Sequence, residues 1–370
     1  METIKKHEWP HCAEQAVKHI LAQCQKFSQT GVPSAAQLTS LIEVIDEFIF
    51  SWSSPASSGG RSGKRRTGKL TSIQQLQLVQ MLAEYFSGDQ DFNLLCSVFM
   101  ILFMIQGRDV EYKVNTLARL LSYSLSVNAV TLLNFGGVWL TQQSPTSAHS
   151  LAIARVLVSD WVSAPSHAHL HSLPTQSSLF TTNLLASMGE LYSGLTSGVQ
   201  SDLATGYSPP PTQVVSLVTA WLRSGHEATA SPSAQSGLSV PVPGTIPAAS
   251  LLPWSVFSPL DAEDRGGKAA SLYSLLHLTL VDIVITSSLL PSKYLTHLTE
   301  GLLARLTSSP EAHSQEQAEA ALDRYGQLMA AAIAGDKLKL DKDLVTLIQK
   351  LPQNRLVNIV LRRSSLKRPF

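Results

Sequence analysis

Residues 71–86, TSIQQLQLVQMLAEYF, carry an apolar side chain at every third or fourth position. The members of this series are Ile73, Leu76, Val79, Leu82 and Phe86. Side chains at that spacing lie on one face of an α-helix, so the stretch predicts an amphipathic helix that packs against a core. Ser72, followed three residues later by Gln75, predicts a capping box at the start of that helix.

The same period extends through most of the chain, and no convincing strand pattern occurs. In residues 34–52, for example, Leu41, Ile45, Phe48 and Trp52 recur at helical spacing. The predicted helices span residues 8–28, 34–52, 71–86, 91–105, 109–127, 129–141, 147–162, 177–195, 212–223, 268–287, 291–306, 314–334, 342–350 and 353–362. The pattern therefore predicts a protein built almost entirely of helices.

The turns between these helices are short and rich in Gly, Pro, Ser or Asn, which favours antiparallel helical pairs. We predict an all-α fold in which stacked antiparallel helical hairpins form an irregular solenoid of the HEAT or armadillo kind. The solenoid is predicted to be irregular because the sequence has no repeat of fixed period.

Two low-complexity segments divide the helical regions: residues 53–68 are Ser/Gly-rich and then basic, and residues 228–260 are uncharged and proline-rich. The predicted organisation is an N-terminal helical hairpin at 1–52, a basic flexible linker at 53–69, a helical repeat core at 70–227, a Pro/Ser-rich loop at 228–267, a C-terminal helical region at 268–362 and a basic tail at 363–370.

A few residues of the second segment are too apolar for a linker: Leu251, Leu252, Trp254, Val256 and Phe257. They are expected to dock on the helices of the same chain or on a partner. Docking on the same chain is the favoured interpretation, because large exposed apolar patches are uncommon on monomeric proteins.

Composition excludes several classes of protein. The chain has 370 residues, of which 44% are apolar and only 15% charged, with a net charge of +1. A chain of this length and apolarity buries a large core, and its near-neutral charge provides no overall attraction to nucleic acid or acidic membranes. A weakly charged surface is typical of regions that a partner covers.

The cysteines and the apolar segments indicate an intracellular protein. Three cysteines are too few for a disulfide framework, so a reducing compartment is expected. The polar N-terminus lacks the apolar run of a secretory signal. Residues 94–105 are too short to span a membrane, and residues 272–290 contain His277 and Asp282, whose burial in lipid is costly. We therefore predict core helices rather than membrane spans.

Motifs that carry chemistry are absent or incomplete. GKRRTGK at 63–69 has the spacing of a phosphate-binding loop, but Leu70 follows where a Ser or Thr hydroxyl is needed. His167, His169 and His171 alternate without a nearby Cys or acidic partner, unlike a closed zinc site.

The acids Asp46, Glu47 and Asp160 lie in amphipathic helical patterns, where solvated faces need charge. We accordingly predict no enzymatic activity, no cofactor and no metal.

Two basic clusters are candidates for binding nuclear import receptors or nucleic-acid phosphates, although a solvated charge run is an equal alternative. Their members are Arg61, Lys64, Arg65, Arg66 and Lys69 in the linker, and Arg362, Arg363, Lys367 and Arg368 near the C-terminus. The motif RRSSL at 362–366 also predicts phosphorylation of Ser364 or Ser365 by a basophilic kinase, which would reduce the charge of the tail.

Several segments, taken together and in order, resemble the Integrator complex subunit fifteen family. LIEVIDEFIF at 41–50, a basic linker and LTSIQQLQLVQMLAEYF at 70–86 are similar to the N-terminal region of that family. The later segments are PPTQVVSLVTAWL at 210–222, SLYSLLHLTL at 271–280, LDRYGQLMAAAIAG at 322–335 and LPQNRLVNIVL at 351–361. These are packing patterns, so their specificity lies in their joint occurrence.

This resemblance implies a non-catalytic, nuclear scaffold subunit of the Integrator complex, which binds RNA polymerase II and cleaves nascent transcripts, including small nuclear RNAs. It implies contacts with subunits ten, thirteen and fourteen and an indirect association with RNA polymerase II, in support of 3′ processing and transcription attenuation. Cleavage belongs to another subunit, so no catalytic residue carries over. The alternative from the residues alone is a helical protein that binds nucleic acid directly through its basic clusters.

Overall fold

The computed structural model describes residues 4, 9–53, 67–88, 91–163, 168–193, 207–230, 247–261, 267–286, 292–308, 313–334 and 342–366. Within them, the side chains of some residues at segment ends, including Trp52 and residues 363–366, lie outside the description.

The described residues are predominantly helical. The α-helices are α1 His11–Thr30, α2 Ala35–Phe48, α3 Ser72–Phe86, α4 Phe92–Leu102, α5 Val110–Val127, α6 Val130–Gln143, α7 Ala148–Ser163, α8 Leu173–Gln176, α9 Ser178–Ser193, α10 Thr212–Ala230, α11 Leu252–Phe257, α12 Gly267–Thr286, α13 Ser292–Ser308, α14 Gln315–Ala334, α15 Lys342–Ile348 and α16 Arg355–Leu366. Short 3₁₀ turns occupy Ala168–Ser172 and Pro247–Leu251.

The helices form two compact units. Unit 1 comprises Met1–Gln143 and Ala148–Asp160, and unit 2 comprises Ser144–Ser147 and Trp161–Phe370. In unit 2, α10, α12, α14 and α16 pack one against the next, and α11, α13 and α15 do the same. Helices two apart in the chain are neighbours in stacked hairpins, because corresponding helices of successive hairpins meet. The predicted all-α stack is confirmed, and its HEAT or armadillo form stays a prediction.

In unit 1, α1 packs against α2 and α4, while α3 packs against α5. Aromatic rings fill the space between helices: the ring centroids of Phe86 and Phe99 lie 5.5 Å apart, and both rings contact Phe135. The indole N–H of buried Trp139 donates to the Phe103 carbonyl at 2.9 Å. This bond satisfies a polar group that burial would otherwise leave without a partner.

The cap of α3 lies one residue before the predicted position. Thr71 is the N-cap: its hydroxyl accepts from the backbone N–H of Gln74, and the Gln74 side chain accepts from the backbone N–H of Thr71. Thr71–Gln74 and Ser72–Gln75 have the same spacing, so the sequence alone does not distinguish them. The extended backbone of Thr71, with ψ of 163°, decides in favour of the first pair.

A short antiparallel ribbon interrupts the helices of unit 1. β1, Ser51–Ser53, pairs with β2, Thr67–Lys69, so that Trp52 lies opposite Gly68. These strands flank most of the predicted basic linker. Three residues are too few to produce a recognisable alternation, which explains why the sequence pattern did not reveal them.

Part of the predicted 228–267 loop is helical. α10 continues to Ala230, and the turn Pro247–Leu251 leads directly into α11. The five apolar residues that were expected to dock are each no more than 2% exposed. Docking on the helices of the same chain is therefore confirmed. The close approach to α9 depends on Gly189, where any β-carbon would overlap with Ser250.

Candidate protein-docking surfaces

Ser255 and His277 are hydrogen-bonded residues of the types that some enzymes use as nucleophile and base. Ser255 Oγ lies 2.9 Å from Nδ1 of His277, and Nε2 of His277 lies 2.8 Å from Oε1 of Gln327. Because an amide oxygen only accepts, Nε2 carries the proton and Ser255 donates to Nδ1. The third member of the arrangement is an amide, which orients the imidazole but supplies no negative charge to stabilise an imidazolium.

The burial of this arrangement indicates a structural role. Ser255 is fully buried and His277 is 4% exposed. Burial lowers the pKa of His277, an effect that the hydrogen bond to Gln327 opposes and Arg324 reinforces. The imidazole is therefore neutral, and it joins α11, α12 and α14 through hydrogen bonds between neutral groups.

Asp46 does not lie on a solvated face, and the expectation that it would is wrong. Its Oδ1 lies 2.6 Å from Nζ of Lys113, and the two side chains are only 13% and 2% exposed. Its Oδ2 accepts the backbone N–H of Arg108 at 2.8 Å, and Lys113 also donates to the Gln106 carbonyl at 2.9 Å. Lys113 is far from Asp46 in the sequence, so local spacing gave no sign of the pair. Asp160, by contrast, is exposed as expected.

A cavity of about 500 Å³ lies beside this ion pair in unit 1. Its lining residues are Glu43, Asp46, Glu47, Phe50, Ser51, Gly68, Lys69, Arg108 and Asp109. Carboxylates and cations are mixed there, and Lys69 lies 3.6 Å from Asp109 across an exposed ion pair. The lining has four carboxylates and two cations, and Lys113 beside it pairs with Asp46, so one negative charge remains in excess.

The three cysteines lie within the described residues, and none of them forms a disulfide bond. Cys12 and Cys24 are buried and Cys96 is half-buried. Burial raises the pKa of Cys24 to about 11. Since the thiolate is the reactive form, Cys24 is unreactive at neutral pH. Within the described residues, no group of three His, Cys, Asp or Glu side chains is placed to bind a metal ion. His167 lies outside the described residues, as does the side chain of His169.

Helix α3 exposes two large apolar side chains that the sequence pattern assigned to its buried face. Val79, Leu82 and Phe86 are buried as expected, but Ile73 is 71% exposed and Leu76 is 64% exposed. The packed face instead includes Leu78 and Ala83. Helix α3 therefore has more apolar residues than one face can hold. This excess is visible in the sequence and could have indicated a second apolar surface.

Helix α12 exposes a similar apolar stripe in unit 2. Leu278 is 63% exposed, and Leu275 and Ile285 flank it on the same side of the helix. The other side packs against α10, α11 and α14 and contains buried His277. Among the described residues, α12 is the one helix that is both long and apolar enough to cross a membrane. A helix that packs one side in a protein core meets the same criteria of length and composition.

A groove of about 510 Å³ in unit 2 has no Lys, Arg, Asp or Glu in its lining. Its lining residues are Trp161, Val162, Leu170, His171, Thr212, Gln213, Val214, Ser216, Leu217 and Leu272. The Trp161 ring meets Trp221 edge to face at 5.6 Å, and Trp221 Nε1 donates to the Leu170 carbonyl. The groove is thus a preformed surface of apolar and uncharged polar side chains from residues distant in sequence.

The structure describes only part of the two basic clusters. Lys69 lies in β2 with an exposed side chain, and Arg362 is exposed on α16. Arg363, Ser364 and Ser365 belong to the end of α16, but their side chains lie outside the description. The remaining candidates, Arg61, Lys64, Arg65, Arg66, Lys367 and Arg368, lie outside the described residues. Their predicted roles stay predictions.

The fold and these surfaces define an all-helical protein that presents exposed apolar helix faces. A sequence profile of the Integrator complex subunit 15 family matches residues 1–353, and the chain belongs to that family. It is 26% identical over 374 residues to Integrator complex subunit 15 of Drosophila melanogaster, covering 97% of this chain and 94% of the relative.

Two vertebrate relatives extend the comparison. The chain is 26% identical over 377 residues to Integrator complex subunit 15 of Danio rerio, covering 90% of this chain and 74% of the relative. It is 22% identical over 363 residues to the Homo sapiens protein of the same name, covering 86% of this chain and 77% of the relative. The resemblance inferred from the sequence is thereby confirmed.

Proposed function

We propose that this chain is a non-catalytic scaffold subunit of the nuclear Integrator complex. In this proposal the chain binds other subunits through its exposed apolar helix faces. Membership of the Integrator complex subunit 15 family supports the assignment to the complex. The exposed Ile73 and Leu76 of α3 and Leu278 of α12 support the mode of binding. Burying each such side chain at an interface contributes roughly 1.5–3 kcal/mol.

The partners proposed for these surfaces are Integrator subunits ten, thirteen and fourteen, with RNA polymerase II bound indirectly through the complex. In this role the chain positions other proteins during small nuclear RNA 3′ processing and transcription attenuation. The cleavage chemistry belongs to another subunit. The buried, neutral Ser255–His277 pair is consistent with that division, because no substrate reaches its hydroxyl.

The test is affinity purification of the tagged chain from nuclear extract, followed by quantitative mass spectrometry. We expect Integrator subunits among the captured proteins, and a loss of at least about tenfold when Ile73 and Leu76 are both replaced by Asp. The matched control replaces Gln77 and Gln80, which are also exposed on α3, by Asp. Capture of no Integrator subunit by the unmodified chain would reject the proposed function.

Direct nucleic-acid binding is the second candidate, and the exposed side of α16 favours it. Gln353, Asn354, Arg355, Asn358, Ile359 and Arg362 line a polar cavity of about 460 Å³ there, with two cations and no acid. Lysine and arginine contacts to phosphates release counterions, so such binding weakens steeply as salt rises. We would measure the affinity for a 20-nucleotide single-stranded RNA between 50 and 200 mM salt.

The variants for this measurement remove the linker cluster, the C-terminal cluster or both, by exchange of their basic residues for Gln. Nucleic-acid binding predicts a shallower salt dependence for each variant and the shallowest for the double one. Unchanged binding in the double variant would reject this candidate. Phosphorylation at Ser364 or Ser365, if mass spectrometry detects it in cells, should weaken the same binding because it adds negative charge beside Arg362.

A further inference from the structure

Arg324 of α14 is a half-buried cation whose hydrogen bonds all go to neutral oxygens. Nη1 donates to the Ser255 carbonyl at 2.9 Å and to Ser258 Oγ at 2.5 Å, and Nη2 donates to Ser274 Oγ at 3.1 Å. A guanidinium has five N–H groups, so subtracting these three bonds leaves two, at Nη2 and Nε. Burial lowers the pKa of Arg324, as expected for a cation without an anionic neighbour.

A second arginine in the same unit provides the comparison. Arg305 of α13 contacts the same segment that contains α11, and its Nη2 lies 2.6 Å from Oδ1 of Asp261. Its guanidinium also lies over the rings of Tyr207 and Phe257, 4.9 and 5.4 Å from their centroids. Arg305 is therefore compensated within the chain. No carboxylate of the described residues forms an ion pair with Arg324.

Arg324 lies at one end of a groove of about 280 Å³. The groove is lined by Ser258, Pro259, Ala270, Tyr273, Ser314, Glu316, Gln317, Ala320 and Arg324. Its α14 members share one side of the helix, and residues 314 to 324 cover roughly 15 Å at the helical rise. An extended peptide advances about 3.3 Å per residue, so four or five residues match this length.

We propose that this groove binds an extended segment of a partner protein and that Arg324 pairs with an Asp or Glu side chain of that segment. The inference rests on the proposed function, since it names one chemical feature of the partner. The two remaining N–H groups of Arg324 would donate to the carboxylate, which removes the cost of an uncompensated, half-buried cation. The small side chains of Ala270 and Ala320, with Pro259, leave room for the peptide backbone.

A carboxylate fits this groove better than a phosphate. Arg324 is the one Lys or Arg in the lining. A phosphate monoester carries nearly two negative charges at neutral pH, and typically binds where several cations converge. One guanidinium facing one carboxylate balances the charge, whereas one guanidinium facing a phosphate would leave negative charge uncompensated.

The test measures binding of three synthetic peptides to the full chain by isothermal titration calorimetry. The probes are the acetylated and amidated hexapeptides AASDAA, AASNAA and AASXAA, where X is phosphoserine. We expect the Asp peptide to bind at least about tenfold more tightly than the Asn peptide, because a charge-assisted pair replaces a neutral one. Equal affinities of the Asp and Asn peptides would overturn the proposal, and so would tightest binding of the phosphoserine peptide.

Substitutions assign the effect to Arg324. Arg324→Gln should abolish the preference for Asp, and Arg324→Lys, which keeps the charge but loses the planar fork, should retain part of it. The control Arg305→Lys should leave the preference unchanged. Circular dichroism and thermal unfolding identify variants that fail to fold. If Arg324→Gln does not fold, the preference of Arg324→Lys for the Asp peptide decides the test. A preference that persists in folded Arg324→Gln would overturn the proposal.

Acidic residues of the chain itself are an alternative occupant of the groove. Glu263, Asp264 and Glu311 lie within five positions of lining residues in the amino-acid sequence. If the unmodified chain does not discriminate between the Asp and Asn peptides but a variant with these acids changed to amides does, the occupant is internal and the partner proposal is wrong. Purification of Arg324→Gln from nuclear extract separates the two hypotheses. If Arg324→Gln no longer discriminates between the peptides but still captures Integrator subunits, the proposed function stands. The result then bears only on the ligand of the groove.

Discussion

A loop of unit 1 and helix α11 of unit 2 are held by different polar contacts. In unit 1, the loop between α4 and α5 is attached by a buried ion pair, Asp46 with Lys113, which also binds backbone groups of that loop. In unit 2, α11 contacts α12 and α14 through neutral groups, Ser255, His277 and Gln327, while an ion pair between Arg305 and Asp261 attaches the end of the same segment to α13. Removing Lys113 therefore leaves a charge behind on Asp46, whereas removing the Ser255 hydroxyl leaves only a dipole on His277. The expected costs differ accordingly.

The largest effect is expected for Lys113→Met. The substitution keeps the apolar stem but leaves Asp46 mostly buried without its cation, so unfolding should become easier by about 3–5 kcal/mol. Urea denaturation of the full chain measures this change. The control is Lys69→Met, which breaks the exposed pair with Asp109 and should cost less than about 1 kcal/mol. Equal effects of the two substitutions would show that the buried pair is not the main attachment of the loop.

Gly107→Ala should produce the next largest effect, about 2–3 kcal/mol, because two costs combine. Gly107 has φ of 87°, and an added β-carbon would lie 2.5 Å from Asp46 Oδ2 and 2.6 Å from Ile42. Gly31 also has a positive φ, 101°, but no atom lies within 4 Å of the added carbon, so Gly31→Ala carries a backbone cost without an overlap. If Gly31→Ala destabilises the chain as much as Gly107→Ala, close packing against Asp46 contributes nothing.

Ser255→Ala tests the neutral network of unit 2 and should cost about 1–3 kcal/mol, because Nδ1 of His277 loses its buried donor. The control Ser271→Ala removes an exposed hydroxyl on α12 that bonds only to the Gly267 carbonyl, and it should change stability little. Urea denaturation again provides the measurement. A cost as large as that of Lys113→Met would contradict the distinction between charged and neutral attachments.

The last and smallest expected effect is a pH dependence of stability that comes from His277. Burial is the main cause that lowers the pKa of His277 in the folded chain. Above about pH 7 the imidazole is neutral in both folded and unfolded chains, so it adds no pH dependence. As pH falls through about 6.5, the unfolded chain binds a proton that the folded chain does not, and stability falls by up to about 1.4 kcal/mol per pH unit. His277→Gln should reduce the slope of melting temperature against pH between 7 and 5.5. An unchanged slope would mean that His277 does not titrate as inferred.

The helices were predictable because their information is local. Apolar residues three or four apart identified nearly all the longer helices, and residues 71–86 gave the end of α3 correctly and its start to within one residue. The apolar composition around Trp254 likewise indicated that this segment docks, because five large side chains lose exposed surface together. The 3₁₀ turns and the ribbon were missed, since three to five residues carry too little periodicity.

The candidate surfaces were much less predictable. Both the exposure of Ile73 and Leu76 and the burial of Asp46 depend on which helices pack against α3 and α2, and the sequence pattern of a single helix does not contain that information. The same holds for Arg324, whose neutral partners come from α12 and from the segment containing α11. Contacts between residues that are tens of positions apart depend on how the helices pack, and the local spacing of side chains does not predict them.

The amino-acid sequence by itself determined that this protein is all-helical and related to Integrator complex subunit 15, because helical period and segment order are properties of neighbouring residues. Only the tertiary structure decided which apolar residues stay exposed for a partner and which charges are compensated inside the chain. The physical reason is that burial and ion pairing depend on distances between helices. Those distances are set when whole helix faces pack together.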